Sequence, residues 1–219
     1  VAVKRLLDLE TGWLPVGLGA YAAVLCAVSG RANVFSRAGE PVGILAHVSA
    51  FLVCVSPALV FGRRGPGTVI PFYWSTFPWR AAIGLALPGL AQAVFCVKRD
   101  SRWVYGAEGS LIAALVFAAA AVGVPAAWAP ALIAAAALAA LGVARGPNAE
   151  PARQLGTLAV IPAAIAGVLY WSTACGSASF AAAGVLLGVL GAAVRDSKLY
   201  GTGVALAGAA WFSACRWIL

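Results

Sequence analysis

Charge is what this sequence has least of. Asp, Glu, Lys and Arg make up 10% of its 219 residues, against roughly 25% in a soluble domain. Hydrophobic residues make up 63%, and the mean hydropathy is +0.94. A soluble fold of this length leaves too much of its surface in water to hide that much apolar side chain. The bilayer must act as the solvent.

Histidine is nearly absent, and His47 stands alone. That excludes bis-histidine haem ligation and a three-histidine zinc site within the chain. Sharing a cofactor with another subunit is the one ligating role left to His47; otherwise it hydrogen-bonds a helix carbonyl or sits at the interface. Acids are scarce, and Asp8, Glu10, Glu40, Asp100, Glu108, Glu150 and Asp196 all fall in expected loops or at span ends. The intramembrane carboxylate of a proton- or sodium-coupled transporter has no obvious candidate. No Gly-x-Ser-x-Gly elbow, P-loop, His-Glu-x-x-His or Asp-rich diphosphate motif occurs. The cysteines, Cys26, Cys54, Cys96, Cys175 and Cys215, form no Cys-x-x-Cys pair and read as small buried hydrophobes. Neither a cofactor nor a metal is expected. The formal charge is +8, yet no basic run or recognition motif accompanies it. This argues against nucleic acid and for anionic headgroups and topology control.

What remains is long apolar runs. A span needs roughly 20 apolar residues, with about 17 tolerated. On that ruler eight spans are expected, near Trp13–Ser29, Val42–Phe61, Ala81–Val97, Ser110–Val124, Ala126–Val143, Leu155–Trp171, Ser177–Val194 and Val204–Leu219. The fourth and the last are the weakest. The uncharged run from Gly109 to Ala144 would make a helix about 54 Å long at ~1.5 Å per residue, too long for a core about 30 Å thick. Gly123-Val124-Pro125 is the natural turn within it. The fold expected is an all-α polytopic transmembrane bundle, with seven spans as the nearest competitor. Val1 to Glu10 mix charges and lack the regions of a signal peptide.

Basic residues alternate between the two sides. Arg31, Arg37, Lys98, Arg99, Arg102, Arg145, Arg153, Arg195 and Lys198 fall on one side. Lys4, Arg5, Arg63, Arg64, Arg80 and Arg216 fall on the other. The richer side should face the cytoplasm, matrix or stroma.

One charged turn occurs twice, as Arg99-Asp100-Ser101-Arg102 before Tyr105-Gly106 and as Arg195-Asp196-Ser197-Lys198 before Tyr200-Gly201. The following runs also align, Leu111 and Phe117 echoing Leu206 and Phe212. Glu40-Pro41 has a fainter echo in Glu150-Pro151. The expected organisation is two related four-span halves, residues 1–125 and 126–219, running parallel about an axis along the membrane normal. Arg99, Asp100, Ser101, Arg195, Asp196 and Ser197 are candidate headgroup-binding residues. The competing reading is helix-end chemistry, with Asp or Ser capping the next helix.

The halves differ between their second and third spans. The first carries Arg63 and Arg64, then Phe72, Tyr73, Trp74, Phe77 and Trp79. These belong to an aromatic belt at the interface, to a docking surface for a partner subunit, or to both. Gly184 and Gly188 form a Gly-xxx-Gly, which favours close helix approach in the last two spans. Gln92, Ser49, Ser56, Thr157 and Ser213 are expected to be interhelical hydrogen-bond partners.

Three function classes follow. The first is a non-catalytic integral-membrane subunit or assembly factor of a larger, energy-transducing or other, membrane complex. The second is a small facilitator for a neutral or hydrophobic solute. The third is a lipid-modifying intramembrane enzyme using Asp100 and Asp196. The balance is against an enzyme. Expected partners are membrane lipids, anionic ones included, and other membrane subunits. A bacterial or organellar inner membrane is the expected location.

Overall fold

The structure is a computed structural model that describes residues 13–31, 78–97, 103–144 and 146–218. Helix accounts for 92% of them, and no strand occurs among the described residues. The protein is an all-α membrane bundle. The expected span Val42–Phe61 lies outside the described residues, as do His47, Ser49, Cys54 and Ser56.

Seven α-helices are described: α1 Leu14–Arg31, α2 Pro78–Ala91, α3 Trp103–Ala121, α4 Ala129–Val143, α5 Ala149–Leu169, α6 Ala174–Val194 and α7 Ser197–Ile218. A π-helical turn, Gln92–Cys96, extends α2, and 3₁₀ turns precede α4 and α5. Five stretches are long and apolar enough to cross a membrane: Pro78–Cys96, Trp103–Ala121, Ala126–Val143, Ala149–Leu169 and Ala174–Val194. Helix α1 contributes a shorter apolar stretch, Pro15–Val28. Helix α7 has 22 residues, about 33 Å at ~1.5 Å each, but falls short of the others in apolar character.

Most helices begin before their apolar runs. Helix α3 starts at Trp103 rather than near Ser110, so Glu108 lies inside a helix and not in a loop. Helix α7 starts at Ser197 rather than Val204. Backbone hydrogen bonding continues through the headgroup region, where side chains no longer need to be apolar. Pro78 opens α2, where its missing N–H costs nothing. The uncharged run breaks at its Gly-Val-Pro segment. Helix α3 ends at Ala121, Gly123 takes φ 87°, and Pro125 is extended before the next turn.

The chain divides into two compact units, Val1–Val124 and Pro125–Leu219. In the first, α2 packs on both α1 and α3. A Cβ at Gly19 would overlap the Gly84 backbone, and one at Gly84 would overlap Pro15. The α1–α2 backbones therefore touch, as small-residue interfaces in lipid require. Leu85 and Ala114 form an apolar centre with Leu18, Ala86, Ala113 and Phe117.

In the second unit α6 is the hub, packing against α4, α5 and α7. It meets α5 through Gly156, which lies under Leu186 and Leu190, and through Gly167, which lies under the Phe180 ring. Trp171 closes that end edge-on to Phe180, with centroids 5.7 Å apart. It meets α7 backbone to backbone. A Cβ at Gly184 would come within 2.7 Å of the Ala207 nitrogen, so the expected Gly-xxx-Gly helix does pack by close approach. Phe117 and Phe212, equivalent in the sequence echo, have different surroundings. The first joins the α2–α3 centre; the second is 70% exposed.

Candidate functional site

Four features set with polar groups interrupt the apolar packing of the described helices. The first is aromatic. At the start of α2, Trp79 meets Trp13 edge-on, with ring centroids 5.3 Å apart. The Arg80 guanidinium sits 4.5 Å from the Trp13 ring and 5.2 Å from the Trp79 ring. Each such cation–π contact contributes about 0.5–2 kcal/mol, and the trio suits a membrane interface. Of the expected docking residues, only Trp79 is thereby placed. Arg63, Arg64, Phe72, Tyr73, Trp74 and Phe77 lie outside the described residues.

The second feature is buried. The π turn after α2 carries Gln92 and Cys96, and Cys26 of α1 lies beside both. The Cys96 thiol donates to the Cys26 carbonyl oxygen over 3.5 Å. Ala91, Leu25, Phe95 and Trp103 complete an apolar shell. Gln92 is fully buried, and among the described residues its amide makes no well-aligned hydrogen bond, with the Cys26 thiol of α1 the polar group within its reach. The interhelical neighbour of Gln92 among the described residues is therefore Cys26. Sequence reasoning missed the π turn, which frequently marks functional positions.

The third feature is the turn between α6 and α7. Arg195 is left-handed, with φ 56°. Its N–H reaches the Ala192 carbonyl at 3.4 Å, and the Asp196 N–H reaches the Gly191 carbonyl at 2.9 Å. These two bonds are the Schellman closure of a helix. Asp196 then caps α7, its Oδ1 accepting from the Lys198 and Leu199 N–H groups at 2.8 and 3.3 Å. The helix-end reading of Arg-Asp-Ser therefore holds for this copy. The side chains of Arg195 and Lys198 stay exposed and form no ion pair among the described residues. The other copy, Arg99-Asp100-Ser101, lies outside the described residues.

At the opposite end of α6, Ser213 of α7 accepts from the Ser177 hydroxyl at 2.9 Å and from the Ser172 N–H at 3.2 Å. Ser213 is thus the interhelical partner it was expected to be. Thr157 is not, because its hydroxyl donates to the Arg153 carbonyl within its own helix. Among the described residues no three His, Cys, Asp or Glu side chains gather into a metal-binding group.

Compared with known proteins, the chain matches no protein family, no curated protein and no solved structure.

Proposed function

We propose that the protein is a non-catalytic integral-membrane subunit or assembly factor of a larger membrane complex, in a bacterial or organellar inner membrane. The observation that carries this reading is the outer face of α7. Helix α7 packs chiefly on α6, through Gly203 and Ala207. A second set of small residues, Gly201, Ala205 and Gly208, is exposed. A Cβ at Gly201 or Gly208 would meet nothing within 4 Å. Trp211 and Phe212, 72% and 70% exposed, continue that face. In lipid the hydrophobic effect does not drive helices together, so association rests on close backbone approach and van der Waals packing. Small residues beside large aromatics supply both. The Trp13–Trp79–Arg80 cluster supports the same reading, since Trp and Arg dominate interface energetics. On this proposal Arg63, Arg64, Phe72, Tyr73, Trp74 and Phe77 are docking residues as well.

Gly208→Leu tests it. The new side chain enters open space in this chain and so spares its own fold, but it would block a helix seated on α7. The expected result is loss of co-purifying membrane subunits with normal accumulation of the chain. Retention of all partners would remove α7 as the docking face.

The fully buried amide of Gln92 favours a second reading, a facilitator for a neutral solute that offers both a donor and an acceptor. Solute flux in liposomes containing this protein alone would support it, and Gln92→Leu would then abolish that flux.

A further inference from the structure

Two apolar crevices flank the C-terminal half of α6, one on either side of Val189. The larger holds about 310 Å³ between α6 and α7. Its floor is Gly184, Gly188 and Gly203, and Val185, Val189 and Val204 wall it. It is a trough because the floor carries no side chains. A Cβ at Gly188 would meet nothing within 4 Å. The smaller holds about 160 Å³ between α4, α5 and α6, and Arg153 lines it.

The larger trough runs from Gly184 to Ala192, eight residues and about 12 Å along the helix axis. Gly184 is at the middle of the Ala174–Val194 span. The trough therefore climbs from near the bilayer midplane to one surface, through one leaflet about 15 Å deep. At its upper end stand Tyr200 and the α6–α7 turn.

That turn is cationic. The Asp196 carboxylate is engaged by two backbone N–H groups, while the Arg195 and Lys198 side chains are exposed and unpaired among the described residues. Arg195 also holds a left-handed backbone position that glycine fills without strain. A side chain kept in a strained position argues for a role beyond folding.

We propose that trough and turn together bind one anionic phospholipid. An acyl chain lies in the α6–α7 trough, the phosphate sits on Arg195 and Lys198, and Tyr200 stands at the boundary between them. The crevice beyond Val189 accepts the second chain. This deepens the expectation of headgroup binding at Arg195, Asp196 and Ser197, but it changes the roles. Lys198 replaces Asp196, whose negative charge would repel a phosphate. The site is independent of the outer face of α7, so its failure would leave the subunit proposal standing.

The test uses the full chain, stripped of lipid in mild detergent and titrated with phosphatidylglycerol or with phosphatidylcholine of the same acyl chains. Native mass spectrometry counts the bound lipid. One phosphatidylglycerol per chain is expected, with phosphatidylcholine roughly 30-fold weaker, about 5-fold for each basic residue near the headgroup. Gly188→Leu fills the trough without touching backbone and should weaken both lipids at least 10-fold. Arg195→Gln with Lys198→Gln, both exposed and remote from any core, should erase the preference for phosphatidylglycerol and leave weak, equal binding. Inorganic phosphate should compete for neither lipid. Equal binding of the two lipids by the unaltered protein would overturn the proposal. So would undiminished phosphatidylglycerol binding by a folded Gly188→Leu protein, or by the double charge variant. Displacement of the lipid by inorganic phosphate would assign the turn to a free anion and overturn the acyl-chain role.

Discussion

Arg195 occupies a left-handed position for which L-residues other than glycine incur about 1–2 kcal/mol. Arg195→Gly should therefore leave thermal stability unchanged or raise it by up to about 1 kcal/mol, after allowing for the looser unfolded chain. Thermal melts in detergent check this, and a clear loss of stability would show that the guanidinium has a structural duty. Asp196 is the opposite case. Asp196→Ala removes the α7 cap and should cost about 1 kcal/mol, and Asp196→Asn should restore most of it. An enzyme using this carboxylate would instead lose its activity in both variants. Gln92 is a third kind of residue, a buried amide set among apolar side chains and the Cys26 thiol. Gln92→Met keeps the volume and removes polar atoms that are buried without a well-aligned hydrogen bond among the described residues, so it should raise stability by about 1–3 kcal/mol in the same melts. Much at this scale was legible in the sequence. Cys26, Cys96 and Cys175 are buried, and Asp196 caps a helix, because each depends on local chemistry. Gln92 was not legible, because whether an amide finds a partner depends on which side chains the fold brings opposite it.

Helix packing sets the next scale. Gly184 and Gly188 form one sequence motif, yet a side chain added at each would meet different surroundings. Gly184 touches the α7 backbone, with the Gly203 oxygen 2.9 Å from where its Cβ would stand. Gly188 borders the open trough. Gly184→Leu should thus force α6 and α7 apart and cost about 1–3 kcal/mol or more, as overpacking does. Gly188→Leu should leave the melt unchanged. Equal effects would contradict the close crossing at Gly184. Both backbones lie close to Gly203 of α7; the motif announced that approach, but composition alone could not tell at which glycine an added side chain would have room. Helix starts were misplaced for a related reason. The apolar ruler measures the hydrocarbon core, whereas helices such as α3 and α7 run on past it, using residues like Trp103, Glu108 and Lys198. The Gly123 break was legible because a positive φ followed by proline is local backbone chemistry. The π turn was not, because it forms where α1, α2 and α3 pack together.

For the whole molecule, the class was legible from charge scarcity alone, since so apolar a chain has only the bilayer to face. The function was much less so. Catalysis leaves motifs in a sequence, whereas the proposed subunit assembly would leave surfaces, and these appear only once helices show which small residues their own neighbours use. On α7, Gly203 and Ala207 are used, and Gly201 and Gly208 are open. On the subunit proposal, a partner uses the open pair. Native mass spectrometry of the protein, extracted gently from its own membrane, tests this most directly. The account predicts release together with other chains in a fixed ratio, lost in Gly208→Leu. Release alone, or only as a homo-oligomer, would contradict it.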